Sequence, residues 1–287
     1  MILEAEYAGV RFGGYSDRVI TEFDPGEAEL VTVDAQVPMG DGVLVGRDFL
    51  GGRTWGFTVT TNVDDVAGAR EALSPLARAW RDPSVRLTPG AVVPLSYRVG
   101  DEWRRVYGRP GRWADMDLGV ASMQGAGAVV MDFRVTDPRY FADTAKSVDL
   151  TIIPESTGGL IAPLVAPLMT AAKGGQRAGL VTNAGDTETP LVVTFHGPCR
   201  DPKIVAEAGW EVGLVGSLAY DQSVTVDGLT KTVTRSDGAQ VPGMLTRSTQ
   251  ISRMVMPPGL SDVTFSCIDD TGTAKAVLSW RDAYTSI

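Results

Sequence analysis

The chain is poor in the side chains from which most enzyme and metal sites are built. Its 287 residues include one histidine, His196, and two cysteines, Cys199 and Cys267. A Ser-His-Asp or Cys-His device needs that histidine as its base, and no Gly-x-Ser-x-Gly nucleophile turn occurs in the sequence. Zinc requires three or four ligands at short loop spacing; His196 and Cys199 supply two, and Cys267 would have to arrive from a distant strand. No metal, no cofactor and no catalytic residue is therefore expected. Two cysteines make no disulfide framework and read as small buried hydrophobes, with a bridge between them left open.

A long apolar run is also missing. The most apolar stretch, LIAPLVAPLMTAA at 160–172, is short and carries Pro163 and Pro167, so it reads as an irregular packed arm and no membrane insertion is expected. The amino terminus, MILEAEYAGV, has acids where a signal peptide needs basic residues, which predicts synthesis and retention in the cytoplasm. An excess of positive charge is absent as well. The net charge is −9 and the pI about 4.7, which repels a phosphate backbone and argues against a dedicated nucleic-acid reader.

What the chain has in quantity is turn chemistry. With 33 glycines, 17 prolines and 44% hydrophobic residues it reads as mainly β, and its length suits two domains. The first, 1–142, is predicted as a β domain with one inserted helix near 64–81. Strands are expected at Leu3–Tyr7, 30–37, 55–61, 94–99, 102–107 and 129–135. The helix starts at a cap on Asp64 or Asp65 and buries Val66, Ala69, Leu73, Leu76, Ala77 and Trp80. Pro75 lies inside it, so the helix kinks there or a second one starts with Ser74 as its cap. Residues 143–179 read as a linker plus extended arm. Residues 180–287 read as an all-β sandwich or jelly roll, with strands near 191–195, 204–206, 210–214, 223–226, 231–234, 251–255, 263–267 and 276–280.

Few motifs survive a test of their chemistry. Asp64/Asp65, Asp115/Asp117 and Asp269/Asp270 sit in loop contexts, where aspartate serves turns more often than a glycosidase-like acid pair. CIDDTGTAK lacks the distal glutamate of a calcium loop and reads as a hairpin turn through Thr271 and Gly272. GRDFLGGR resembles a phosphate loop only until the missing Lys-Ser/Thr and the missing helix are noticed. Its glycines are then expected to supply positive φ in a tight turn. Arg47 and Arg53 remain as charges for an intra-sheet or subunit-interface salt bridge. Trp210, Tyr220, Trp280 and Tyr284 could stack on a sugar if they shared an exposed face, Trp210 and Trp280 being the named candidates, although core packing is the plainer reading.

Four stretches carry a resemblance that spans most of the chain. They are GRDFLGGRTWGFTV; VYGRPGRW with VVMDFRVTDPRYF; VTNAGDTETPLVVTFHGPCRDPKI; and MPPGLSDVTFSCIDDTGTAKAVLSWRDAYTSI. In this order and spacing the chain resembles the distal tail proteins of long, non-contractile-tailed bacteriophages, the siphovirus-type minor tail proteins of actinobacteriophages in particular. The segment ISRMVMPPG departs from that pattern, with Arg253 and Met254 where a tryptophan is expected. The resemblance implies a virion structural protein of the tail tip with no enzymatic activity. It implies an amino-terminal domain that forms a homo-hexamer ring and a galectin-like outer domain. The implied partners are the tail-tube protein, the tape measure protein and the tail-tip hub protein, with receptor-binding proteins as further candidates and DNA only in passage through the ring. The alternative is a carbohydrate-binding protein that recognises host cell-wall glycan through the second domain.

Overall fold

A computed structural model describes residues 3–152, 175–269 and 271–287. They divide into two compact units, one reaching Asp143 and including Thr285–Ile287, the other Thr144–Tyr284. The apolar stretch at 160–172 lies outside the described residues.

The first unit is a rolled antiparallel sheet. Its first strands are β1 (Leu3–Tyr7), β2 (Val10–Gly13) and β3 (Arg18–Asp24). Four two-residue strands follow, β4 (Leu30–Val31), β5 (Ala35–Gln36), β6 (Val43–Leu44) and β7 (Phe49–Leu50), which pair only among themselves. The chain then enters β8 (Arg53–Thr61), helix α1 (Val66–Trp80), β9 (Val93–Val99), β10 (Glu102–Ala114), β11 (Ala128–Val135) and β12 (Tyr140–Ala142). The strand order is β2-β1-β9-β10-β11-β8-β3, with β12 beside β10, and the edge strands β2 and β3 approach each other. Strict alternation in β8 sends Trp55, Phe57, Val59 and Thr61 inward. Trp55 meets Tyr97 at 5.0 Å and Phe12 meets Phe57 at 5.7 Å, both edge to face, the geometry that the ring quadrupole favours.

Helix α1 is continuous through Pro75, and the Ser74-capped second helix does not form. Its cap is Asp65, whose carboxylate accepts from the Gly68 N–H at 2.7 Å. Ala69, Leu73, Leu76 and Trp80 are buried, and Tyr7 packs edge to face on Trp80 at 5.1 Å. The three- and four-residue spacing of the sequence thus reports the buried stripe.

The second unit is a sandwich of two antiparallel sheets. Its strands are β13 (Lys146–Thr151), β14 (Gly175–Asn183), β15 (Thr189–Pro190), β16 (Val192–His196), β17 (Cys199–Ala206), β18 (Glu211–Gly213), β19 (Ser217–Leu218), β20 (Ser223–Asp227), β21 (Thr232–Arg235), β22 (Val255–Met256), β23 (Gly259–Ile268) and β24 (Lys275–Trp280). One sheet runs β13-β24-β16-β20-β21 and the other β14-β23-β17-β18, with β19 at the edge of β17. Phe195 from the first and Phe265 from the second meet in the core at 6.1 Å.

Three expectations need correction here. The segment 143–179, read as a linker and arm, is strand at both described ends, β13 and the start of β14, because each finds a ladder partner, in β24 and β23. The strand expected at 251–255 is a 3-10 turn, Ile251–Arg253, ahead of the two-residue β22. The Thr271–Gly272 turn joins β23 to β24, which lie in different sheets, so it is a crossing loop and not a hairpin. Asp269 organises it, accepting from the Thr271 N–H at 2.8 Å and the Ala274 N–H at 2.7 Å.

Candidate assembly surfaces

The feature of the first unit that core formation does not explain is the ribbon built from β4 to β7. From Glu29 to Leu50 every residue except Val37 is exposed. Its ladders pair apolar residues, Leu30 with Leu50 and Val31 with Phe49, then Ala35 with Leu44. Leu30, Val45, Phe49 and Leu50 are all more than half exposed, and Met39 is fully so. An isolated two-stranded ribbon is marginal in water, and an exposed apolar patch of this extent marks an interaction site. The single strand expected at 30–37 is broken here: only Leu30–Val31 and Ala35–Gln36 pair, each with a different partner, and the alternation did not show that they stand outside the core.

The glycines of GRDFLGGR serve close approach. None of Gly46, Gly51 and Gly52 has positive φ, which corrects the tight-turn expectation. A Cβ on Gly46 would lie 1.9 Å from the Val33 carbonyl oxygen, and one on Gly52 would lie 2.6 Å from that of Val135. The first contact closes the ribbon and the second seats its root against β11.

Arg53 stands at that root. Its guanidinium lies 4.3 Å from the centre of the Tyr140 ring and donates to the Tyr140 hydroxyl and the Pro138 carbonyl. No carboxylate among the described residues pairs with it or with Arg47, so the expected intra-sheet salt bridge is not formed. A planar cation over an aromatic face replaces it. Arg47 is exposed on the ribbon.

The remaining sequence candidates are drawn into structural roles. Trp210 and Trp280 are 5% and 7% exposed and belong to the core of the second unit, the Trp280 indole donating to the Thr182 carbonyl at 3.0 Å. Neither offers a face to a sugar, because each indole fills space inside the sandwich. Tyr220 is exposed and Tyr284 is half-buried. Asp115 pairs with Arg81 at 2.9 Å and accepts from the Trp113 indole at 3.0 Å, while Asp65 caps the helix. Asp270 lies outside the described residues. His196 ends β16, and burial, then the neighbouring Lys275, lower its pKa against the opposing pull of Asp149. Cys199 and Cys267 are buried and unbridged, and a hydrogen bond with Cys199 together with burial pushes the Cys267 thiol upward. No group of three or more metal-ligating side chains is found among the described residues, and no helix among them is long and apolar enough to cross a membrane.

No protein family's sequence pattern matches the chain, and no characterised protein matches it by sequence. Solved structures do match its fold. The Dit protein of phage SPP1, a paradigm of the hub adsorption apparatus of phages infecting Gram-positive bacteria, aligns with a TM-score of 0.57 at 13% identity, over 97% of this chain and 98% of its own. A chain of the phage P2 baseplate in its activated conformation with calcium aligns at 0.55 and 10% identity, over the full length of both. Its strontium counterpart gives 0.54 and 9%, over 100% of this chain and 99% of its own. The chain has the fold of a phage distal tail protein.

Proposed function

We propose that this chain is a structural component of a phage tail tip, a distal tail protein that assembles into a hexameric ring, joins the tail tube to the tail-tip hub and leaves a channel through which DNA passes. The observation that carries this reading is end-to-end coverage: both units together, and not one shared domain, align with baseplate and hub proteins. The proposal extends to the division of labour. The first unit builds the ring and the second serves as the attachment point for receptor-binding proteins.

The physical character of the chain supports this. An apolar, exposed ribbon suits a protein whose working state is an assembly. Net negative charge keeps a passing phosphate backbone from adhering.

Negative-stain microscopy of the purified chain, alone and mixed with tail-tube protein, tests the proposal. Closed rings of sixfold symmetry that stack on the end of the tube are the expected result. A chain that neither forms rings nor binds the tube end under any mixing ratio would remove it.

A further inference from the structure

A trough runs beside helix α1, and its chemistry is complementary to that of the exposed ribbon. Two adjoining hollows of about 260 and 330 Å3 share Trp113 as a common wall. Leu73, Ala77, Met116, Leu118 and Val85 supply apolar lining, and Val120 and Met123 of the short helix Val120–Met123 are strongly exposed. Four arginines, Arg70, Arg81, Arg86 and Arg109, border the hollows, against two aspartates. Asp115 is occupied by Arg81, and the Asp82 carboxylate accepts from the Ser84 N–H at 2.8 Å. Arg70, Arg86 and Arg109 have no carboxylate partner among the described residues.

The ladder sharpens the point. Arg109 on β10 sits directly opposite Arg134 on β11. Like charges in that position are destabilising unless something anionic lies between or above them. The first unit, moreover, uses arginine for every cation, since the first lysine of the chain is Lys146. Arginine is the cation that holds carboxylates in two-point geometry.

The ribbon supplies what the trough lacks. Residues 25–52 carry Glu27, Glu29, Asp34, Asp41 and Asp48 against the single cation Arg47, interleaved with the exposed apolar side chains already described. We infer that the ribbon of one copy docks in the α1 trough of a second copy, with its apolar side chains over Trp113 and its carboxylates on the arginine rim. The two surfaces belong to the same chain and are different, so the contact is head to tail and repeats from copy to copy until a ring closes. This inference rests on the ring-forming reading above and names the contact that would make the ring.

Two full-length variants test it. Phe49→Asp with Leu50→Asp spoils the ribbon, and Arg86→Glu with Arg109→Glu spoils the trough. All four residues lie outside the core, and near-ultraviolet circular dichroism verifies that each variant is folded. In light scattering across a concentration series, the unaltered chain is expected to associate, and each variant alone to weaken association by at least about tenfold, as loss of central apolar or arginine anchors does. An equimolar mixture of the two variants is expected to give dimers and stop there, because one intact ribbon can meet one intact trough. Association of either folded variant at the unaltered strength, a mixture that stays monomeric, or an unaltered chain that never associates would each overturn the inference. Rings that persist in the ribbon variant would remove this contact and leave the tail-tip reading intact. Ribbon-dependent rings that ignore tail-tube protein would do the reverse.

Discussion

His196 shows how one residue couples this protein to pH. Burial and Lys275 lower its pKa below the ordinary value of about 6.5, so the folded chain disfavours the proton that the unfolded chain accepts. Where the unfolded state binds more protons, stability rises with pH. Stability should therefore fall as pH drops through about 6.5 toward the lowered folded value, and should be unaffected by this group above it. Thermal melts between neutral and mildly acidic pH check this: His196→Gln should flatten the slope in that window, and an unchanged slope would assign the effect elsewhere. The tryptophans of the second unit make a different prediction. Trp210→Ala should cost about 3–5 kcal/mol by leaving a core cavity. Denaturant unfolding of the full chain measures that loss, and a variant as stable as the parent would show the indole to be dispensable to the core. The sequence permitted both the packing and the sugar-stacking reading of Trp210, because residue type reports aromatic area and not which way it faces. Arg53 was legible only as a charge at a bend; its seat on Tyr140 depends on a partner 87 positions away.

At the scale of elements, periodicity was a guide to several of the elements that bury one face, although it missed β2 and β14 and caught only the first half of β10. Strands β8, β9, β10 and β11 and helix α1 all declare themselves, because alternation or three- and four-residue spacing follows directly from one-sided burial. The capping aspartate was legible too, although Asp64 and Asp65 were not separable. Asp65→Ala should lower stability by about 1 kcal/mol, the usual worth of such a cap, and Asp64→Ala should leave it unchanged. Equal losses in chemical denaturation would mean that the cap is shared. Elements without a clean buried face were not legible. Strand β3 carries Arg18, Glu22 and Asp24 at the edge of its sheet and breaks register between Ile20 and Glu22, which hides its period. The run at 251–255 looks apolar enough for a strand, but Ile251–Arg253 turns back on itself to deliver Met254 and Met256 into the core. The ribbon was visible only as a single strand at 30–37 and invisible as a projection, since apolar alternation looks the same whether the covering surface belongs to this chain or to another.

For the whole molecule, charge and architecture point the same way. A net charge of −9 predicts that linear duplex DNA at physiological salt is not retained by the purified protein in a filter or gel assay. Salt-sensitive retention would show that a basic surface dominates over the net charge. The ribbon's root adds a mechanical consequence. Gly52 has no room for a side chain against β11, and Arg53, the next residue, is clamped on Tyr140 at the start of a strand whose inward side chains form the core. The ribbon is thus a cantilever built into a wall instead of a flap on a hinge. Its own short ladders can flex, but a load applied along it passes straight into β8 and the aromatic centre of the unit. Under the proposed tail-tip role, stiffness at the root is what would turn the inferred contact between copies into a coupling.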